Sequence, residues 1–173
     1  MVRRYYRRHR SGNRDKYSIE NTCITASEFA QWTTIAADPE INTQTSFQFV
    51  SQVVPSSDVE GMRKVKHLTL SFSCPSEIKL LYALVYVPQG YEPNTIRFPA
   101  LGKGVSLYEP NQYVMSSGVL DFSGGPLRVK TPLSRNLNSG DSIALVLAAS
   151  GLTALPTAGY APIVNVQYAI TLQ

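Results

Sequence analysis

The feature that most restricts the fold of this chain is alternation. Over residues 63–74, RKVKHLTLSFSC, the apolar Leu68, Leu70, Phe72 and Cys74 fall on one side and Thr69, Ser71 and Ser73 on the other. A period of two marks a half-buried β-strand, because successive side chains point to opposite faces of a sheet. The last segment repeats the pattern: Val164, Val166, Tyr168, Ile170 and Leu172 alternate with Asn165, Gln167, Ala169 and Thr171. Strands of this kind need a second layer over the apolar side, so the chain must fold as packed sheets.

Further strands are predicted over residues 17–25, 46–54, 79–87, 112–120, 127–132 and 142–149, set apart by Pro, Gly and Asn turns. Residues 79–87 contain LLYALVYV, too continuous for a one-sided strand, which predicts cover on both faces. A helical turn or two is expected over 27–36, with Phe29, Trp32, Ile35 and Ala36 on one face, ended by Asp38-Pro39. Eight strands without a repeat period describe an all-β, antiparallel sandwich. Both an immunoglobulin-like sandwich and a jelly roll satisfy that pattern. The long connections 27–45 and 88–111 lean toward the eight-stranded jelly roll.

Charge divides the chain differently. Residues 1–16 hold Arg3, Arg4, Arg7, Arg8, Arg10, Arg14 and Lys16 against the single acid Asp15, a net of +6, whereas all 173 residues carry only +4. Residues 17–173 therefore have nine basic and eleven acidic side chains, a net of −2. A one-sign block without apolar periodicity cannot bury enough surface to fold alone, which predicts a disordered basic arm on a globular domain spanning 17–173. That domain, in a chain that is 43% hydrophobic with ten tyrosines, is large enough to fold without a metal or disulfide staple.

Other features argue against several function classes. The longest clean apolar run covers residues 143–149, far short of a bilayer span, and no apolar stretch follows the basic start as in a secretory leader. Cys23 and Cys74 stand far apart with no CxxC pairing, and burial as small apolar groups is their simplest use. His9 lies in the arm, and His67 stands alone in a strand, as a core or edge histidine. No metal-ligand spacing, GxSxG elbow or P-loop occurs; Leu101-Gly102-Lys103-Gly104 lacks the rest of the phosphate-binding pattern. These absences predict no catalytic site, cofactor or metal.

Four phrases then carry a resemblance: RKVKHLTLSFSC (63–74), LLYALVYVPQG (80–90), SLYEPNQYVMSSGVLD (106–121) and RNLNSGDSIALVL (135–147). Together with the Arg-rich start, their order resembles the capsid proteins of circular, Rep-encoding single-stranded DNA viruses, the circovirus-like group. The resemblance implies a single jelly roll assembling with about sixty copies of itself into a small icosahedral shell, T=1 in architecture. It implies a basic arm that faces single-stranded viral DNA and doubles as a signal to the host nuclear import machinery. The corresponding locations are the virion and, during assembly, the host cell nucleus. The arm is briefer than in the circoviruses proper.

Arginine's planar fork pairs bidentately with phosphate and stacks on bases, and Tyr5 and Tyr6 between the Arg pairs suit sequence-tolerant stacking on unpaired bases. About sixty arms at a net +6 would neutralise roughly 360 phosphates, fewer than a genome of one or two thousand nucleotides carries, so body residues are expected to help. Candidates are Arg63, Lys64 and Lys66 at the start of the third strand, and Arg128 and Lys130 on one face of the sixth. Loops 89–111 and 150–162 are long and weakly charged, which makes Tyr91, Phe98, Tyr108, Tyr113 and Tyr160 candidate subunit-interface anchors. The competing reading is a non-viral nucleic-acid-binding sandwich with a basic tail. That module would carry a basic patch on its body as well, and a body of net −2 argues against one.

Overall fold

A computed structural model describes residues 17–24, 33–35, 45–75, 79–91, 113–132, 134–152 and 162–172. Among these residues ten strands run in the order β1 Ser18–Ile24, β2 Thr33–Ile35, β3 Thr45–Val54, β4 Arg63–Ser73, β5 Lys79–Val87, β6 Tyr113–Asp121, β7 Leu127–Lys130, β8 Arg135–Leu137, β9 Ser142–Leu152 and β10 Ile163–Leu172. They form two antiparallel sheets. The first is ordered β1-β10-β4-β7, with β8 also pairing β4; the second is ordered β2-β3-β9-β5-β6. Chain-distant strands are neighbours in both sheets. Setting aside the short β2 and β8, the four-by-four arrangement is that of a jelly roll.

The eight predicted strands are present, with ends shifted by a few residues. Two three-residue strands join them. Thr33–Ile35 falls inside the predicted helical turn but pairs with β3, with Thr34 opposite Phe47. Its β-branched Thr-Thr-Ile sequence suits a sheet edge better than a helix. The rest of 27–36 lies outside the described residues.

The core lies between the sheets. Leu68, Leu70 and Phe72 of β4 and Val164 and Val166 of β10 face Leu80 and Leu84 of β5 and Ile143, Leu145 and Leu147 of β9, all at most 1% exposed. The second sheet is also buried on its other face, where Ala83, Val85, Val87, Ala144, Val146 and Ala148 form a separate apolar cluster. The two-sided cover predicted for residues 79–87 is thus present, and it extends to β9.

One residue decides how β4 is used. His67 has φ 55°, a left-handed conformation uncommon away from glycine. Gln167 pairs with Thr69 and Ala169 with Lys66, so Tyr168 alone stands opposite both His67 and Leu68. This is a β-bulge, and the extra residue reverses the alternation. Val65 and Arg63 point inward below the bulge, as Leu68 and Leu70 do above it. Lys64 and Lys66, which share sequence parity with Leu68, are turned out of the core. His67 itself is exposed, at the strand irregularity rather than in the core.

One end of the sandwich is tied by a polar knot. The buried Asp141 accepts hydrogen bonds from the Tyr86 hydroxyl (2.7 Å), the Gln89 amide (3.0 Å) and the Asn138 amide (2.7 Å). Arg63 enters from β4 and donates to the main-chain carbonyls of Pro55 (2.9 Å) and Asp141 (2.7 Å). The Arg135 guanidinium lies 4.1 Å from the Tyr86 ring centre. Burial, followed by the hydrogen bond to Asp141, pushes the Tyr86 phenol up to about 12. Gly140 closes the turn at φ 80°, and a Cβ there would fall 2.4 Å from the Gln89 side chain. Three segments are thereby tied together at Asp141, two through its carboxylate and the one at Pro55 through Arg63.

Candidate nucleic-acid interface

The outward face of the first sheet follows from its register. One row across it is Cys23, Asn165, Ser71 and Arg128; the next is Asn21, Gln167, Thr69 and Lys130. Beyond the bulge come Ile19, Ala169 and Lys66, then Thr171, Lys64 and Asn136. Four cations, Lys64, Lys66, Arg128 and Lys130, therefore share one face, and none of the strand positions in these rows is a carboxylate. Glu20 stands opposite the inward-facing Tyr168, Asp58 and Glu60 are exposed in the loop before β4, Asp121 lies in the second sheet beside Lys79 (3.2 Å), and Asp141 is in the knot. The body's net charge of −2 hides this segregation, because a sum over residues contains no faces.

The arm joins the body on that face. Tyr17, the residue after Lys16, precedes Ser18 at the start of β1, and the Lys66 ammonium lies 4.7 Å from the centre of its ring. An ammonium over a tyrosine face is attracted by the ring quadrupole. The contact holds the root of the arm beside the cations of β4.

The sequence candidates separate accordingly. Lys64, Lys66, Arg128 and Lys130 come together on the outward face. Arg63 does not join them: it is 8% exposed, inside the sandwich, with its guanidinium engaged by two carbonyls. Its assignment to nucleic acid is corrected to a structural one, and the bulge at His67 is the reason it points inward. Arg3, Arg4, Tyr5, Tyr6, Arg7, Arg8, Arg10, Arg14 and Lys16 lie outside the described residues, as do Phe98, Tyr108 and Tyr160. Tyr91 is 52% exposed after the β5 turn, and Tyr113 begins β6 opposite Tyr86. Cys23 is exposed and Cys74 half-buried, with no bridge between them, so the expected burial fails for Cys23.

Sequence reasoning missed His67 and Gln167 on this face, and Thr131 buried beside Lys130. Thr131 is 3% exposed, and its hydroxyl has no hydrogen-bond partner among the described residues. Among the described residues no three His, Cys, Asp or Glu side chains gather as metal ligands, and no helix is long and apolar enough to cross a membrane.

No protein-family model matches the chain, and no curated protein matches it. Among solved structures it is similar to one of Desmodium yellow mottle tymovirus, at 13% identity and a TM-score of 0.39, over 91% of this chain and 87% of that one. It is similar to an aminopeptidase from a marine sediment archaeon, Thaumarchaeota archaeon, at 14% identity and a TM-score of 0.29, over 91% of this chain and 33% of that one. It is also similar to the Gt strain of infectious bursal disease virus, at 10% identity and a TM-score of 0.27, over 88% of this chain and 38% of that one. Likenesses at this level identify neither a family nor an activity.

Proposed function

We propose that this chain is the subunit of a small viral shell whose basic arm and first-sheet face hold single-stranded DNA. The observation that carries the reading is the gathering of Lys64, Lys66, Arg128 and Lys130 on strand rows without a carboxylate, with the arm of net +6 joined to that face at Tyr17. Arm and face then form one continuous polycation per subunit. The four body cations raise the neutralising charge from six to ten per subunit, toward the deficit the arm alone would leave. Jelly-roll topology and the four sequence phrases that resemble circovirus-like capsids support the shell. In the same reading about sixty copies assemble with T=1 geometry, the genome is circular, and the arm is also the nuclear import signal.

Expression of the full chain tests this directly: negative-stain microscopy should show particles tens of nanometres across. Monomers alone at high concentration, under every salt and pH tried, would sink the shell. Removing residues 1–14 should leave shells or folded subunits intact and sharply reduce packaged DNA; unchanged DNA content would refute the arm's role.

The basic face also suits the second reading, a non-viral nucleic-acid-binding sandwich with a basic tail, since that module requires a patch on its body. Assembly separates the two. The module stays a monomer or small oligomer while binding single strands.

A further inference from the structure

The first sheet has a gap. β7 pairs with Thr69–Phe72 of β4 and β8 with Arg63–Val65, so among the described residues Lys66, His67 and Leu68 have no partner strand on that side. Among the described residues one main-chain bond crosses there, from the Thr131 amide to the Leu68 carbonyl (2.9 Å). The gap opens onto the basic face as a groove of about 490 Å³, within the usual range of small-ligand sites. Its wall includes His67, Arg128 and Lys130, with Gln167 as an amide and Ile19 and Ala169 as an apolar side. Thr131 also lies in the wall, with its hydroxyl buried and unpartnered.

We infer that this groove seats one nucleotide of the bound single strand. The inference rests on the nucleic-acid reading above and adds a defined site to it. A site for a lone anion needs only the cations, and this groove is larger and two-sided. Arg128 and Lys130 supply the contacts for a phosphate. Ile19 is 66% exposed and, with Ala169, offers apolar surface to a sugar or base, while Gln167 can donate to and accept from a base edge. The Thr131 hydroxyl, closed off from solvent and without a partner among the described residues, gains one from the ligand by rotation of its side chain. Buried polar groups are nearly always paired, so an orphan in the wall of a cationic groove marks a place where a partner belongs. The occupant is not the arm: arm and groove carry charge of the same sign.

The test measures binding of a labelled oligothymidylate to the full chain across a salt series, with melting temperature alongside. Thr131→Val removes the hydroxyl at nearly constant volume. It should leave the melting temperature unchanged or higher, because no protein partner is lost, and weaken binding about threefold to tenfold with the salt slope unchanged. Gln167→Leu, at a half-exposed position, should behave alike. Arg128→Ala with Lys130→Ala should weaken binding and flatten the slope of log K against log salt by about 1.4. Inorganic polyphosphate should compete equally well with wild type and Thr131→Val, since it lacks sugar and base. If Thr131→Val and Gln167→Leu both bind the oligonucleotide like wild type at every salt, the groove is not a nucleotide site, although the basic face stands. If wild type itself fails to bind the oligonucleotide, both readings fall.

Discussion

The two sheets are built from similar strands and face different surroundings. In the second, β9 reads SIALVLAA from Ser142 to Ala149, and every one of these residues is buried. In the first, β4 and β10 alternate, and the outward face collects Lys64, Lys66, Ser71, Asn165, Arg128 and Lys130. An apolar run leaves a strand no face for water, whereas alternation leaves one face on which charges can gather. The difference teaches where function has room: side chains on the first sheet's outward face can be chosen for a ligand without disturbing the core behind it.

Deleting His67 sharpens this contrast. Without the extra residue Lys66 directly precedes Leu68, so plain alternation keeps Lys64 and Lys66 outward and Arg63 and Val65 inward. The expected outcome is a cooperative unfolding transition retained by circular dichroism; its loss would mean that the bulge itself is required. His67→Val keeps the residue count but puts a branched side chain at φ 55°, for a cost of about 1–2 kcal/mol in a urea titration.

A matched pair of carboxylates compares the sheets themselves. Val146→Asp, at 1% exposure on the second sheet, should cost about 4 kcal/mol, read by denaturant midpoint. Ser71→Asp, on the first sheet beside Arg128, should change stability by no more than about 0.5 kcal/mol while weakening binding to single-stranded DNA. Equal losses of stability at the two sites would erase the distinction.

The knot gives smaller effects. Asp141→Ala leaves the Tyr86 hydroxyl and the amides of Gln89 and Asn138 without their acceptor and should cost about 2–3 kcal/mol. The smallest predicted effect is in alkali. With the phenol of Tyr86 raised to about 12 in the fold, both folded and unfolded chains keep it protonated below its ordinary value of 10. Above 10 the unfolded chain releases the proton first, so the contribution is full below 10 and is lost as pH rises through 12. The difference in phenolate absorbance between wild type and Tyr86→Phe should therefore titrate near 12; a midpoint near 10 would mean the hydroxyl is not held by Asp141.

Much of this sandwich was legible in the sequence, since alternation and turn residues are local. The run in β5 announced two-sided burial, and the Asn138-Ser139-Gly140-Asp141 turn announced the start of β9. β2 and β8 were not legible, because three residues become a strand only when β3 or β4 lies alongside. The bulge was hidden for a related reason. Nothing in Lys66-His67-Leu68 signals an inserted residue until Tyr168 is seen facing two positions at once. That single irregularity decides that Arg63 faces inward while Lys64 and Lys66 face outward. The basic face was invisible to composition because its cations are gathered by register across β4 and β7.

The central claim is that the first sheet's outward face meets the genome. A cryo-electron microscopy map of particles assembled from the full chain tests it most directly. The account predicts that Lys64, Lys66, Arg128 and Lys130 line the inner surface next to nucleic-acid density, with Tyr17 leading into it. A shell in which the second sheet faces the nucleic acid and those four cations face the outside would contradict it.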